Sequence, residues 1–246
     1  SVRPFPHLFL DRAKPGIIAI DSTGRRFVNE ASSYHDFVLA LLGRGRGRAP
    51  NGPAWLLADH RAIRRYGLGA VRPAPAPLGG HLKSGYLVRG RSVYELAGKL
   101  GVPKETMQET LMAFNRDAAQ GEDREYGKGA NAYNRYLGDA ALSPNPCLAP
   151  LDCAPYYAIR VYPGDIGAAV GLHTDPSARV LDSRGKPVLG LFACGNDANS
   201  IMYGTYPGAG ITLGPGLTFG FIAAHSAAGL PAPQRAGKLA SSTHRP

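Results

Sequence analysis

The chain has 246 residues, 44% of them hydrophobic, with 28 Lys and Arg against 18 Asp and Glu and a formal net charge of +10. That length allows one substantial domain or two small ones. The charge would suit a nucleic acid or an acidic membrane surface, but its one dense run, GRGRGRAP at 43–50, is short, glycine-rich and free of interleaved aromatics. It reads as an exposed loop, or in a sharper alternative as a contact for a partner's acidic face or a phosphate. No nucleic-acid partner is expected. Cys147, Cys153 and Cys194 lack paired zinc-ligand spacing, and an odd count does not make a disulfide scaffold. Free thiols in a reducing, cytoplasmic setting are expected, with a Cys147–Cys153 pair as the alternative, and no metal site. No segment is apolar and long enough to span a bilayer, and no charged leader precedes an apolar signal core.

Taken in order, Gly16–Ile20 is β-prone, Asp21–Gly24 turns, and Arg25–Val28 is expected to return as the second strand of a hairpin. A helix is predicted over 34–42, a strand over 54–58 and a short helix over 59–66. VRPAPAP at 71–77 cannot sustain a regular element. Ser92 with Glu95 three residues later predicts a capped helix over 93–100, broken at Gly101. Pro103 opens a second helix with Met107, Thr110, Leu111 and Phe114 on its apolar face. Residues 119–150 are polar and irregular, and a region of that length wraps a scaffold or forms a functional loop. Strands follow over 156–162, 178–181 and 188–194. A break at Gly195–Asp197, the segment YPGAG at 206–210 and a helix over about 214–228 complete the reading, since proline is tolerated in a first helical turn. Residues 231–246 form a surface tail.

The run GLFACGNDANSIMYGTYPGAGITLGPGLTFGFIA, starting at 190, closely resembles the C-terminal cofactor motif of FAD-dependent 3-oxosteroid dehydrogenases, in the fumarate reductase/succinate dehydrogenase flavoprotein superfamily. GRRFVNEASSYHDF at 24–37 and LDCAPYYAIRVYPGDIGAAVGLHTD at 151–175 extend the match, and LAGKLGVPKETMQETLMAFN resembles the family's substrate-domain helix pair. The GxGxxG strand–turn–helix expected of an FAD protein has no counterpart here. The resemblance therefore places residue 1 roughly midway along the family's usual chain, so this is expected to be a C-terminal half whose partner is the missing N-terminal half or another subunit. The fold expected is α+β: a mixed substrate or cap portion over residues 1–150, and over 151–246 the C-terminal part of a Rossmann-like α/β FAD domain.

The resemblance also implies site residues. Tyr206 looks like the tyrosine that hydrogen-bonds the substrate carbonyl, Gly210 like the glycine whose backbone N–H completes that electrophilic site, and Tyr34 like the tyrosine that abstracts the substrate proton as tyrosinate. Gly195, Asn196 and Asp197 correspond to the FAD ribityl or phosphate region, and Thr212, Leu213 and Gly214 to the isoalloxazine. Tyr86, Tyr133 and Tyr136 are candidates to line the substrate cavity or to serve packing alone, and His35 is a neighbouring relay or an orienting group. Asn196–Asp197 replaces a glutamate seen in many relatives, and Ala169–Val170 stands where many are richer in glycine. No serine follows Tyr206 within YPGAG, which favours a 1-dehydrogenase over a 4-dehydrogenase. Arg160 and His173 form no visible dicarboxylate clamp.

The implied activity is oxidation of a hydrophobic 3-oxosteroid or similar cyclic ketone, with FAD accepting hydride. A flavin-dependent reductase of another small substrate is one alternative. A non-catalytic FAD-domain fragment that self-assembles as a homo-oligomer through exposed apolar surface is the other.

Overall fold

The sequences IIAI and AWLLA are apolar at nearly every position, as strands covered on both faces must be. The computed structural model describes residues 5–7, 11–43, 50 and 53–230, and most of the basic run at 43–50 and all of the tail at 231–246 lie outside them. The elements are β1 (Ile17–Ile20), α1 (Tyr34–Leu41), β2 (Ala54–Ala58), α2 (His60–Tyr66), α3 (Gly79–Lys83), β3 (Val88–Gly90), α4 (Val93–Leu100), α5 (Lys104–Gln120), α6 (Ala132–Leu137), β4 (Tyr156–Val161), β5 (Arg179–Leu181), β6 (Pro187–Phe192) and α7 (Leu213–Ala227). The chain divides into two compact units, Ser1–Gly164 and Asp165–Pro246.

In the first unit four strands pair antiparallel in the order β1-β2-β4-β3. Alternation along the strands sends Ile17, Ala19, Leu56, Ala58 and Ile159 to one side, where they meet Phe27, Phe37 and Ile63. Ile18, Ile20, Leu57 and Ala158 point the other way, onto Leu96, Met107, Leu111 and Phe114 of α4 and α5. Met107, Leu111, Phe114 and Ala118 are the buried stripe of α5, at helical spacing. Ser92 caps α4 by accepting the Glu95 N–H at 3.1 Å. The Glu95 carboxylate reaches back to the Arg91 N–H at 2.9 Å, one residue short of a reciprocal capping box.

One expectation changes. The return strand at 25–28 does not form: Ile20 and Arg26 make one isolated bridge, and β1 pairs with β2. Glu30 Oε1 accepts the Ala19 N–H at 3.0 Å, so a buried carboxylate stands where a partner strand would otherwise be. The compact division at Gly164–Asp165 follows β4, which inserts between β2 and β3 and belongs to the first sheet.

In the second unit β5 and β6 form an antiparallel pair, and Leu172 and Ala198 make a parallel bridge. Five of the six β6 residues are exposed, and no residue of α7 is buried. The chain is α+β, and every paired strand among the described residues is antiparallel. No helix there is long and apolar enough to cross a membrane. No group of three or more His, Cys, Asp or Glu side chains among the described residues could hold a metal ion, and the three cysteines are free thiols.

Candidate functional site

Tyr34 is the first residue of α1 because Ser33 caps the helix. Ser33 Oγ accepts the Asp36 N–H at 3.1 Å and donates to the Asp36 carboxylate at 2.8 Å. The turn leading into Tyr34 has its carbonyls taken by buried side chains. Arg12 Nη1 donates to the Glu30 and Ser32 oxygens at 2.8 and 3.1 Å, and Asn134 Nδ2 donates to the Ala31 oxygen at 2.8 Å. The Arg12 guanidinium carbon lies 4.6 Å from the centre of the Phe37 ring, one turn beyond Tyr34. Burial pushes the Arg12 pKa down to about 10, against the pull of Asp11, Tyr133 and Glu30.

A second buried cluster fixes the same turn from below. Arg26 pairs with Glu30 at 2.8 Å and with Asp123 at 2.8 Å, and the Lys128 ammonium is 3.8 Å from Glu30. Burial lowers the Arg26 pKa, but Glu30 and Asp123 reverse this and hold it well above its usual value. Burial raises Asp123, and its bonds and charge contact with Arg26 more than offset that, leaving it below the usual carboxylate range. Lys128 is pulled below the usual ammonium range by burial.

Of the other first-unit candidates, the half-buried Tyr86 accepts the Ala70 N–H on its hydroxyl at 3.0 Å, and burial raises its pKa. Tyr133 sits on α6 beside Asn134, which ties that helix to the Tyr34 turn. Tyr136 is almost wholly in water, at 86% exposure.

The second unit gathers the glycine-rich motif. The chain leaves β6, passes a 3₁₀ turn at Gly195–Asp197, and pairs with the 169–172 segment: Leu172 N–H to the Asp197 oxygen at 2.8 Å, Asn199 N–H to the Leu172 oxygen at 2.9 Å, and Ser200 N–H to the Ala169 oxygen at 3.1 Å. Gly171 permits this approach, because a Cβ there would strike the Asp197 carbonyl. Gly195 and Gly216 bring the 3₁₀ turn against the first turns of α7, with a Cβ on Gly216 falling 3.6 Å from Gly195 Cα.

Two clefts result. One, of about 670 Å³, is lined by Val170, Leu172, Phe192, Asn196 and Asp197 among others. The other is lined by Gly195, Asn196, Ser200, Thr212, Pro215 and Phe219. Gly195 and Asn196 thus share one cleft with Thr212, which lies well beyond them in the sequence. Leu213 and Gly214 open α7, whose N-terminus has no side-chain cap. Its first turn is closed by backbone: the Gly214 N–H donates to the Gly210 oxygen at 2.7 Å and the Gly216 N–H to the Thr212 oxygen at 3.1 Å, while Pro215 has no N–H. At Gly208, Gly210 and Gly214 a Cβ would meet nothing within 4 Å, so a flat ring can approach bare backbone there. Gly210 has φ +94°, and no described hydrogen bond takes its N–H. Tyr206, four residues earlier in the chain, is half-buried. The open backbone at these glycines and the exposed Asn196 and Asp197 side chains offer a flat ring a close approach and hydroxyls polar partners.

The class of protein is flavin-nucleotide-binding, as its family shows. The FAD binding domain family matches residues 2–213, and the chain belongs to that family. It is 41% identical over 238 residues to 4-oxocyclohex-2-ene-1-carboxylate 5-dehydrogenase of Sinomonas cyclohexanicum, covering 96% of this chain and 40% of that protein. It is 39% identical over 218 residues to 3-oxosteroid 1-dehydrogenase of Mycobacterium tuberculosis (strain ATCC 25618 / H37Rv), covering 87% of this chain and 39% of that one. A crystal structure of 3-ketosteroid delta1-dehydrogenase from Sterolibacterium denitrificans in complex with 1,4-androstadiene-3,17-dione matches with a TM-score of 0.82 and 41% identity, over 90% of this chain and 40% of that one. The chain thus spans about two fifths of the length of these relatives. The expected likeness to 3-ketosteroid dehydrogenases, and FAD as the family's cofactor, hold.

Sequence reasoning missed Arg12, Asn134 and the Arg26–Glu30–Asp123–Lys128 cluster. The four-residue spacing of Arg26 and Glu30 was the one local signal; the other partners lie about a hundred residues away.

Proposed function

We propose that this chain is the C-terminal portion of an FAD-dependent dehydrogenase that oxidises a hydrophobic 3-oxosteroid or similar cyclic ketone. Residues up to about 150 serve as its substrate or cap portion, and the rest as one wall of the flavin site. The observation that carries this reading is the small cleft in which Gly195 and Asn196 of the 3₁₀ turn meet Thr212 at the start of α7. The names of the relatives add the substrate class, steroid and carboxylated cyclohexanone both being cyclic ketones.

Bound FAD would accept a hydride from the substrate. Tyr206 donates its hydroxyl to the substrate carbonyl, and the Gly210 N–H is the second donor. Both bonds strengthen as the neighbouring C–H loses its proton and enolate charge grows on that oxygen. Tyr34 takes this proton as tyrosinate, and with a usual tyrosine pKa of about 10 its site must favour the anion. Gly195, Asn196 and Asp197 hold the ribityl or phosphate region, Thr212, Leu213 and Gly214 border the ring, and Tyr86 and Tyr133 line the substrate side.

A second reading draws on the exposure of α7, where Leu213, Leu217 and Phe221 are 72%, 75% and 55% exposed. Such a face calls for covering structure: the rest of a flavin domain, another subunit or a second copy. The absorbance spectrum of the purified protein, followed by turnover of a 3-oxosteroid and of 4-oxocyclohexanecarboxylate, separates the readings. Bound flavin with turnover supports the dehydrogenase. A flavin-free, stably self-assembled chain supports an accessory fragment and sinks the enzyme reading.

A further inference from the structure

Three consecutive carbonyls, those of Glu30, Ala31 and Ser32, precede the helix that begins at Tyr34, and each is held by a side-chain donor from a distant segment. Arg12 takes the first and third at 2.8 and 3.1 Å, and Asn134 takes the middle one at 2.8 Å. Both side chains are buried, at 1% exposure each. The donors are themselves fixed. Arg12 Nε is bound to the His7 oxygen at 3.1 Å, and its guanidinium lies over Phe37 of α1. Asn134 Oδ1 accepts from Asn29 Nδ2 at 3.0 Å and from the Gly129 N–H at 3.2 Å.

We propose that Arg12 and Asn134 form a carbonyl clamp that positions Tyr34, an inference that rests on reading Tyr34 as the proton acceptor. The clamp acts by fixing the backbone from which that side chain projects. It also couples α6, which carries Tyr133, to the same turn, so one device sets the spacing of two tyrosines assigned to the substrate side. An arginine suits the task because its planar fork can serve carbonyls on two sides at once, whereas a lysine ammonium at the end of a flexible stem cannot hold His7, Glu30 and Ser32 together in that geometry. Asn134 suits it because an amide donates to Ala31 while accepting from Asn29 and Gly129.

The test is a double-mutant cycle on the FAD-loaded full-length protein, read as the rate of flavin reduction by a 3-oxosteroid in a single turnover. Arg12→Lys should slow reduction about 10- to 100-fold, with substrate affinity within about twofold and FAD content unchanged, since displacement of a reacting group by about 1 Å costs on that order. Tyr34→Phe should slow it strongly, and the double variant should be no slower than Tyr34→Phe alone, because Arg12 acts through Tyr34. An unchanged rate in Arg12→Lys, or losses that multiply in the double variant, overturns the clamp while leaving Tyr34 as the base. A parental rate in Tyr34→Phe rejects Tyr34 as the base and the clamp with it. Should Arg12→Lys not fold, Asn134→Asp runs the same cycle, since it keeps the acceptor for Asn29 and Gly129, replaces the amide donor to Ala31 and, when ionised, sets a carboxylate against that oxygen. Amide hydrogen exchange gives a readout independent of turnover: residues 30–37 should exchange faster in either variant while α5 stays protected, and unchanged exchange there overturns the clamp.

Discussion

In the first unit Arg26, Glu30, Asp123 and Lys128 sit out of water around one ion cluster, with apolar clusters on both faces of a four-stranded sheet. In the second, α7 buries none of its side chains, and Leu189 of β6 is fully exposed. The first unit turns its buried charges to internal order, with the Trp55 indole N–H the one buried side-chain polar atom among its described residues that lacks a hydrogen-bond partner. The second holds its geometry through backbone pairing and glycine contacts, and leaves apolar side chains of β6 and α7 exposed. One region encloses its apolar groups, the other presents them.

The strongest way to break this contrast is Arg26→Met. It strands Glu30 and Asp123 as buried, uncompensated carboxylates and should cost the first unit about 3 to 5 kcal/mol, measured by denaturant unfolding. A loss under about 1 kcal/mol would mean the cluster is solvated and the contrast overstated. For the second unit, Tyr206→Phe in the complete flavoprotein should lower kcat about 10²- to 10³-fold with little change in melting temperature, as loss of an oxyanion donor does. An undiminished kcat would remove that role.

Gly171→Ala probes the backbone pairing that shapes the cleft. A methyl against the Asp197 carbonyl should cost about 1 to 3 kcal/mol and weaken flavin retention, read by absorbance after dialysis.

Acid titration sharpens the contrast further. The folded pKa of Asp123 is depressed, so the unfolded chain binds its proton more readily. Its stabilising contribution is therefore present above the unfolded carboxylate pKa of about 4 and lost as pH falls through the folded value. Asp123→Asn should flatten that acid limb in the first unit, by circular dichroism at fixed denaturant, and an unaltered limb would place the acid sensitivity elsewhere. The smallest effect belongs to Leu217→Ser, which should change the stability of the isolated chain by less than about 0.5 kcal/mol. It should, however, reduce self-association or docking measured by sedimentation, and unchanged association would show that this face of α7 is not a contact.

Elements with local signals were legible. α4 and α5 were readable because Ser92, Gly101 and Pro103 punctuate them and the apolar spacing between is helical. β2 and β4 carried runs too apolar for anything but a covered strand. α6 escaped because AYNRYL is six residues inside a polar, glycine-rich stretch, and its Asn131 cap is common in turns as well. β3 escaped because three residues carry no period. The hairpin at 17–28 was misread because the run looked self-complementary, whereas Glu30 takes the Ala19 N–H and Arg26 is drawn into a buried ion pair with Asp123.

From sequence alone came the start of α7 near Gly214–Pro215, and Tyr34 and Tyr206 as the tyrosines to test, because a proline in a first helical turn and a motif resemblance are written in neighbouring residues. Tertiary structure alone decided that β4 joins the first sheet, that Asn196 and Thr212 share a cleft, and that Arg12 and Asn134, 122 positions apart, converge on three carbonyls in a row. Hydrogen bonds and ion pairs of that range depend on where the whole chain brings two groups together, and no local pattern of residues records it.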